Sequence, residues 1–276
     1  MTDVAVAETP NIKDLVTAKE IDTDTLMAML GQKDLSSTSS ESTKAYLPRL
    51  SIEHNTEDDD GNSLPRGKWR VRDANGETVH SDTVIFRPFL RRYMYSVWDQ
   101  GQQSYSSMTI QASSFGDKFF DTTGGLKCGK IDRKELDLLA PDDPARTLQA
   151  GIKCSQIIYG TVALSGNAEA VPHAWYAKGS NFMPVSDWIK TLEKQGKLLF
   201  NTRALLSTVK QKYGGNIFYK ANIEVKDSVE FVPKGDVPLL ESFMDIVNLH
   251  NSDIEEKYKE SRKDFEDVEI VDSLDE

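Results

Sequence analysis

FRPFLRRYMYSVW, residues 86–98, decides how the rest of the chain is read. β-branched and aromatic side chains suit a pleated, half-buried surface, so the run reads as a strand. Alternate side chains of a strand share a face. One parity carries Phe86, Pro88, Leu90, Arg92, Met94 and Trp98, which is largely apolar and suits a core. The other carries Arg87, Phe89, Arg91, Tyr93 and Tyr95, interleaving guanidiniums with aromatic rings. That face suits a surface for single-stranded nucleic acid, since bases stack on rings while arginines meet phosphates or stack in turn. A strand with rings on both sides fits equally between a sheet and a helix.

Working outward, further strands surround this one. LSIEH (50–54) and KWRVR (68–72) alternate, the latter with Trp69 and Val71 on one face and Lys68, Arg70 and Arg72 on the other. The loop between them is punctuated by Gly and Pro, and its acidic run 57–60 lacks the spaced oxygen ligands of a calcium loop. DANGE (73–77) contains Asn-Gly, the strongest two-residue hairpin signal. Residues 78–89, 104–112, 155–164, 172–179 and 215–227 read as strands, and the Gly-Gly pairs at 124–125 and 214–215 as turn glycines. A glycine-containing ribbon, 113–131, contributes Lys118, Phe120, Lys127 and Lys130, and Lys210 and Lys212 follow later.

Helical patterns are fewer. They cover 11–32, 132–140 with Asp132 and Glu135 as a capping box, and a run from Ser186 with Trp188, Ile189 and Leu192 on one face. The last covers 237–263, with a break expected near His250 and Asn251. The expected fold is mainly β with inserted helices (α+β), an elaborated OB-like β-barrel, with a sandwich as the competing architecture. The expected organisation is a helical or flexible segment and linker (1–43), a β-rich core (44–236), a C-terminal helix (237–263) and an acidic disordered tail (264–276).

The net charge of −11 over 276 residues argues at first sight against a nucleic-acid partner. Its distribution changes that. Residues 1–43 hold eight acids against three bases, and 264–276 hold seven acids and no base. The stretch between is near neutral, with twelve bases against seven acids in 61–134 and nine against three in 178–226. Basic patches beside an acidic end carry more information than the total.

Other classes are disfavoured. No run approaches the roughly 18 apolar residues of a membrane helix, and the N-terminus lacks the pattern of a secretion signal. Two cysteines build no disulfide framework, so a reducing cytoplasm is expected, that of the host if the protein is viral. The four histidines stand apart from Cys128 and Cys154, and neither a zinc motif, a phosphate loop nor a nucleophile elbow is present. Asp117, Asp121 and Asp132 flank the ribbon, yet nothing in the sequence gathers them into a nuclease-like cluster. The expectation is a binding protein and not an enzyme, with no cofactor, no metal and no membrane partner.

The C-terminal run alternates acids with apolar residues: Asp264, Phe265, Glu266, Asp267, Glu269, Asp272, Asp275 and Glu276. This suits a short motif for partner proteins, or a mimic of nucleic acid that occupies a basic groove. Taken with the strand meander and the basic-aromatic stretches 68–72 and 86–98, it resembles the phage-type single-stranded DNA-binding proteins of replication. The resemblance implies an OB-fold, no catalysis, cooperative coating of single strands with self-association, and tail contacts with replication or recombination proteins. The zinc ligands of one branch of that family are missing around Cys128 and Cys154. On this reading Phe89, Tyr93, Tyr95 and Phe120 stack on bases, while Lys68, Arg70, Arg72, Arg87, Arg91, Lys118, Lys127, Lys130, Lys210 and Lys212 meet phosphates. The rival class is a structural or adaptor protein of an assembly, because aromatic residues and arginine also mark protein interfaces.

Overall fold

The computed structural model describes residues 15–16, 47–99, 101–114, 133–144, 146, 151–166, 168–228, 232–233 and 236–272. Its strands are β1 (Leu15–Val16), β2 (Arg49–Ile52), β3 (Trp69–Arg72), β4 (Thr78–Ser81), β5 (Val84–Asp99) and β6 (Ser104–Met108). After the short helix α1 (Arg133–Leu138) come β7 (Ile152–Ala163), β8 (Val171–Lys178) and α2 (Phe182–Lys194). The chain ends with β9 (Thr202–Tyr213), β10 (Asn216–Ser228), β11 (Val232–Pro233) and α3 (Val237–Asp272).

The protein is mainly β, built on one large mixed sheet ordered β10-β9-β5-β7-β8-β2-β3-β4, with β6 added on β5. Among the described residues only β2 and β8 pair in parallel. Among the described residues no backbone pairing joins β10 to β4, so the sheet is not closed into a barrel. It curls nonetheless. The Thr208 hydroxyl of β9 donates to the Gly67 carbonyl at 2.5 Å, and Arg66 donates to the Ile217 carbonyl at 2.7 Å. Gly67 has φ +89, and a Cβ there would run into the Tyr219 ring, so the turn before β3 can lie against β10 only as glycine.

β5 organises both faces of the sheet. Its ladder with β7 runs Pro88↔Gly160 and then Leu90↔Tyr159, leaving Phe89 as the extra residue of a bulge. Proline has no N–H to give a ladder, so the pairing yields at that point. Gly160 is needed opposite, because a Cβ there would collide with the Arg87 carbonyl and the Phe86 ring. The bulge reverses which parity faces which side. Before it, Val84 and Phe86 join Trp69, Trp175, Ala204 and Leu206 in the concave core, capped by Val185, Trp188, Ile189 and Leu192 of α2. After it, Leu90 and Met94, together with Phe89 itself, pack with Phe243, Met244 and Val247 of α3 on the other side. Sequence alternation assumed an unbroken strand and therefore misassigned half of the stretch.

Local signals explain most boundaries. The 73–77 turn closes with Asp73 accepting the Asn75 and Glu77 N–H groups at 2.9 Å each, and Gly76 takes φ +80. This is a three-residue loop ending in a left-handed glycine, not the two-residue turn that Asn-Gly suggests. α2 stops in a Schellman motif, with Lys197 N–H on the Leu192 carbonyl, Gly196 N–H on the Glu193 carbonyl and Gly196 at φ +66. α2 also begins earlier than expected, at Phe182 rather than Ser186.

α3 buries Leu240, Phe243, Met244, Val247 and Ile254, a helical stripe. His250 and Asn251, expected to break it, instead dock it. Asn251 accepts the Gln111 N–H at 2.7 Å and donates to the Gln111 carbonyl at 3.3 Å, and His250 donates to the Thr109 carbonyl at 3.0 Å. The helix continues to Asp272, so the acidic stretch as far as that residue is helical in backbone where a separate disordered tail is expected. Of the expected 11–32 helix only Leu15 and Val16 are described, and they pair as a strand with Pro233 and Val232. The rest of 1–43 and the 115–131 part of the ribbon lie outside the described residues.

Candidate nucleic-acid interface

β5 does not present the expected binding face. Phe89 is 0 % exposed, Tyr93 6 % and Tyr95 9 %. The Phe89 ring lies 5.9 Å from that of Phe243 under α3, so it cannot stack on a base. Tyr93 and Tyr95 turn toward the α2 side and pack with Ala112 and Cys154. Burial pushes the Tyr95 phenol up to about 12 and the Cys154 thiol up to about 11, so both stay protonated in this pocket. The arginines of β5 are also committed: Arg87 pairs with Asp236 at the start of α3, and Arg91 with Glu193 of α2 at 3.7 Å. The stacking roles given to Phe89, Tyr93 and Tyr95, and the phosphate roles given to Arg87 and Arg91, are therefore corrected. These residues fasten the two helices to the sheet.

The remaining expected contact residues divide into three groups. Lys118, Phe120, Lys127 and Lys130 lie outside the described residues. Lys210 and Lys212 are exposed on β9 near the tip of the β9–β10 hairpin. Lys68 directly precedes β3, and Arg70 and Arg72 stay together on it, with Trp69 and Val71 inward. Lys68 pairs with Asp82 at 3.3 Å, an exposed pair of small energetic weight.

Arg70 and Arg72 are joined by a residue that sequence reasoning missed. The β2–β3 ladder pairs Ser51 with Arg70 and Ile52 with Trp69, and Arg49, two residues before Ser51, shares the outward face of β2. Arg49, Arg70 and Arg72 line one open pocket of about 410 Å³ with Pro48, Val71 and Thr78. Beside it, the Arg49 guanidinium lies 4.7 Å over the Tyr176 ring of β8. Stacking holds one face of that guanidinium and leaves the other, with its N–H edge, toward solvent.

Two buried groups stiffen this corner. Glu53, 3 % exposed, lies 3.7 Å from Arg70 and 3.3 Å from His80, and accepts the Asn55 N–H at 3.0 Å. Burial pushes its carboxyl up, but Asn55, His80 and Arg70 outweigh that and hold it below the usual range. His173, fully buried, accepts the Arg72 N–H on Nε2 at 3.1 Å and donates from Nδ1 to the Val171 carbonyl at 2.9 Å. It is thereby fixed as the neutral tautomer, and burial lowers its pKa. Arg72 thus projects from a backbone bolted to the core.

The pocket can hold an oxyanion. Guanidiniums offer paired N–H groups that match phosphate geometry, and one carboxylate stands against three of them. Among the described residues no group of three or more His, Cys, Asp or Glu side chains could hold a metal ion. The acidic 57–60 run closes on itself, Asp58 accepting from Asp60 and from both nitrogens of Asn62. Among the described residues no helix is long and apolar enough to cross a membrane. The expected tail residues Asp264, Phe265, Glu266, Asp267, Glu269 and Asp272 fall in the last turns of α3, while Asp275 and Glu276 lie outside the described residues. Compared with protein-family models, curated proteins and solved structures, the chain matches none.

Proposed function

We propose that this chain is a single-stranded DNA-binding protein without catalytic activity, coating single strands with little sequence preference during replication, recombination or repair. The observation that carries the reading is the convergence of Arg49, Arg70 and Arg72 on one pocket, with Tyr176 stacked beneath Arg49. Phosphates seat on the guanidiniums, and a base stacks on the open face of Arg49 or the edge of Tyr176. The binding surface therefore lies on β2, β3 and β8 rather than on β5. We read the curled sheet, bridged by Arg66 and Thr208, as an incompletely closed, elaborated OB-like barrel. The acidic end of α3 recruits replication or recombination proteins, and the resemblance to phage replication proteins supports that setting.

An adaptor role is the second reading, favoured by one observation. A groove of about 460 Å³ between α2 and β10 exposes Met183 and Val209, which suits a protein partner.

Fluorescence anisotropy with labelled oligo-dT, an equal-length duplex and single-stranded RNA, at low and moderate salt, separates the two. The wild-type chain is expected to bind oligo-dT most tightly and lose affinity as salt rises. Each single-strand phosphate contact contributes about 0.7 to the log–log salt slope, so R49Q/R70Q/R72Q should flatten it by about 2. Absence of binding to every strand by a folded wild-type chain favours the adaptor reading.

A further inference from the structure

The curl of the sheet brings a second set of cations to the turn before β3, on the parity of Ala204 and Leu206 rather than that of Arg70 and Arg72. β3 carries Arg72 and Arg70 on one face, two residues or about 6.6 Å apart, and the chain runs back through Lys68 and a turn to Arg66. Arg66 donates to the Ile217 carbonyl at 2.7 Å. Ile217 is the ladder partner of Lys212, and the next same-face pair is Lys210 with Tyr219. The Tyr219 ring in turn packs against Gly67, the residue after Arg66. Arg66, Lys210 and Lys212 therefore gather where the turn before β3 meets the β9–β10 hairpin.

Several cations of the fold are committed to partners. Arg87, Arg91, Arg203, Lys226 and Lys257 each pair with a carboxylate. Among the described residues no ion pair involves Arg66, Lys210 or Lys212, and all three are exposed. Arg66 is also held in place, because its carbonyl bond and the Thr208 bond to Gly67 fasten the turn to β9 and β10. At the hairpin tip Tyr213, on the opposite parity of β9 from Lys210 and Lys212, is 82 % exposed.

We infer that Arg66, Lys210 and Lys212, with Tyr213, form a second contact for the same single strand, so that one chain takes up a segment running from the Arg49–Arg70–Arg72 pocket along β3 to the β9–β10 hairpin. The inference rests on the proposed single-strand reading and adds its path and length. The ligand is an extended single-stranded polyphosphate backbone with unpaired bases. Duplex does not follow the track, since its phosphates wrap around a wide cylinder and its bases are closed to Tyr213. Linking two weak contacts by one strand makes the second one intramolecular, so affinity should climb steeply once an oligonucleotide spans both.

The test titrates full-length wild type, K210Q/K212Q and Y213A with oligo-dT from 3 to 20 nucleotides, at several salt concentrations, with circular dichroism as the check on fold. These side chains are exposed, so the variants should fold as wild type. Expected for wild type is a jump in affinity of tenfold or more above a threshold length. K210Q/K212Q should lose that jump, keep wild-type affinity for the shortest oligonucleotides, and reduce the salt slope for long ones by about 1.4. Y213A should weaken long oligonucleotides while leaving the slope unchanged. Overturning results are a wild-type length profile and slope in K210Q/K212Q, or equal weakening at all lengths. Failure of wild type to bind any oligo-dT would instead remove the underlying single-strand reading, and this inference with it.

Discussion

Replacing Phe89 by alanine should unfold the protein more readily and leave nucleic-acid contacts untouched until it does. The ring is fully enclosed, 5.9 Å from Phe243 and 4.8 Å beneath the Arg87 guanidinium, at the bulge that turns β5 toward α3. Truncating a buried phenylalanine costs about 3–5 kcal/mol, from lost transfer energy and from the cavity left behind. Here the cavity opens on the seam between sheet and helix, so a value near 4 kcal/mol is expected. With a urea dependence of about 2 kcal/mol per molar, the unfolding midpoint falls by about 2 M. Urea titration followed by tryptophan fluorescence measures it, with anisotropy on oligo-dT run in parallel below the transition. A variant with the wild-type midpoint but weakened oligo-dT binding would refute the reasoning. It would mean that Phe89 is an exposed platform and that the bulge does not reverse the strand.

Other perturbations test other joints. Gly160→Ala should destabilise by about 1–3 kcal/mol, since the added Cβ meets the Arg87 carbonyl and the Phe86 ring; an unchanged thermal midpoint would speak against the tight bulge. Arg87→Ala leaves Asp236 without its partner, and because burial already pushes that carboxyl up, a loss of about 1–3 kcal/mol is expected at pH 7. Adding Asp236→Asn to it should recover part of that loss, which a double-mutant cycle in urea reads directly. For pH, burial lowers the pKa of both His173 and His250 below the ordinary value of about 6.5. The unfolded chain therefore takes up protons first. This contribution to stability is whole above the unfolded pKa and is lost as pH falls from about 6.5 toward the lower folded values. The urea midpoint should drop between pH 7.5 and pH 5, and His250→Gln should flatten that drop; a midpoint rising toward acid would contradict it.

Much of the β framework was legible because alternation reports burial directly. Trp69 and Val71 against Arg70 and Arg72, and the alternating 215–227 run, describe β3 and β10 correctly. β9 escaped notice because its alternation of Ala204 and Leu206 dissolves into Lys210, Gln211 and Lys212 as the hairpin leaves the core. The β5 misassignment has a different origin. A bulge depends on what lies across the ladder, and Pro88 is legible in sequence, but the glycine opposite it is 72 residues away. Arg49 went unnoticed for a similar reason: it is a lone arginine beside a proline until the fold brings it to the pocket of Arg70 and Arg72 and the parallel β2–β8 pairing brings it near Tyr176. His250 and Asn251 looked like helix breakers by propensity, and tertiary hydrogen bonds to 109–111 overrode that preference.

Ultraviolet cross-linking of the full-length chain to oligo-dT, with the attached peptides mapped by mass spectrometry, tests the central claim most directly. The account predicts cross-links at Tyr176 and on peptides carrying Arg49 and residues 70–72, extending to Tyr213 with longer oligonucleotides, and suppressed by rising salt. Cross-links confined to Tyr93 and Tyr95, or to the groove between α2 and β10, or no cross-links beyond those of a duplex, would contradict it.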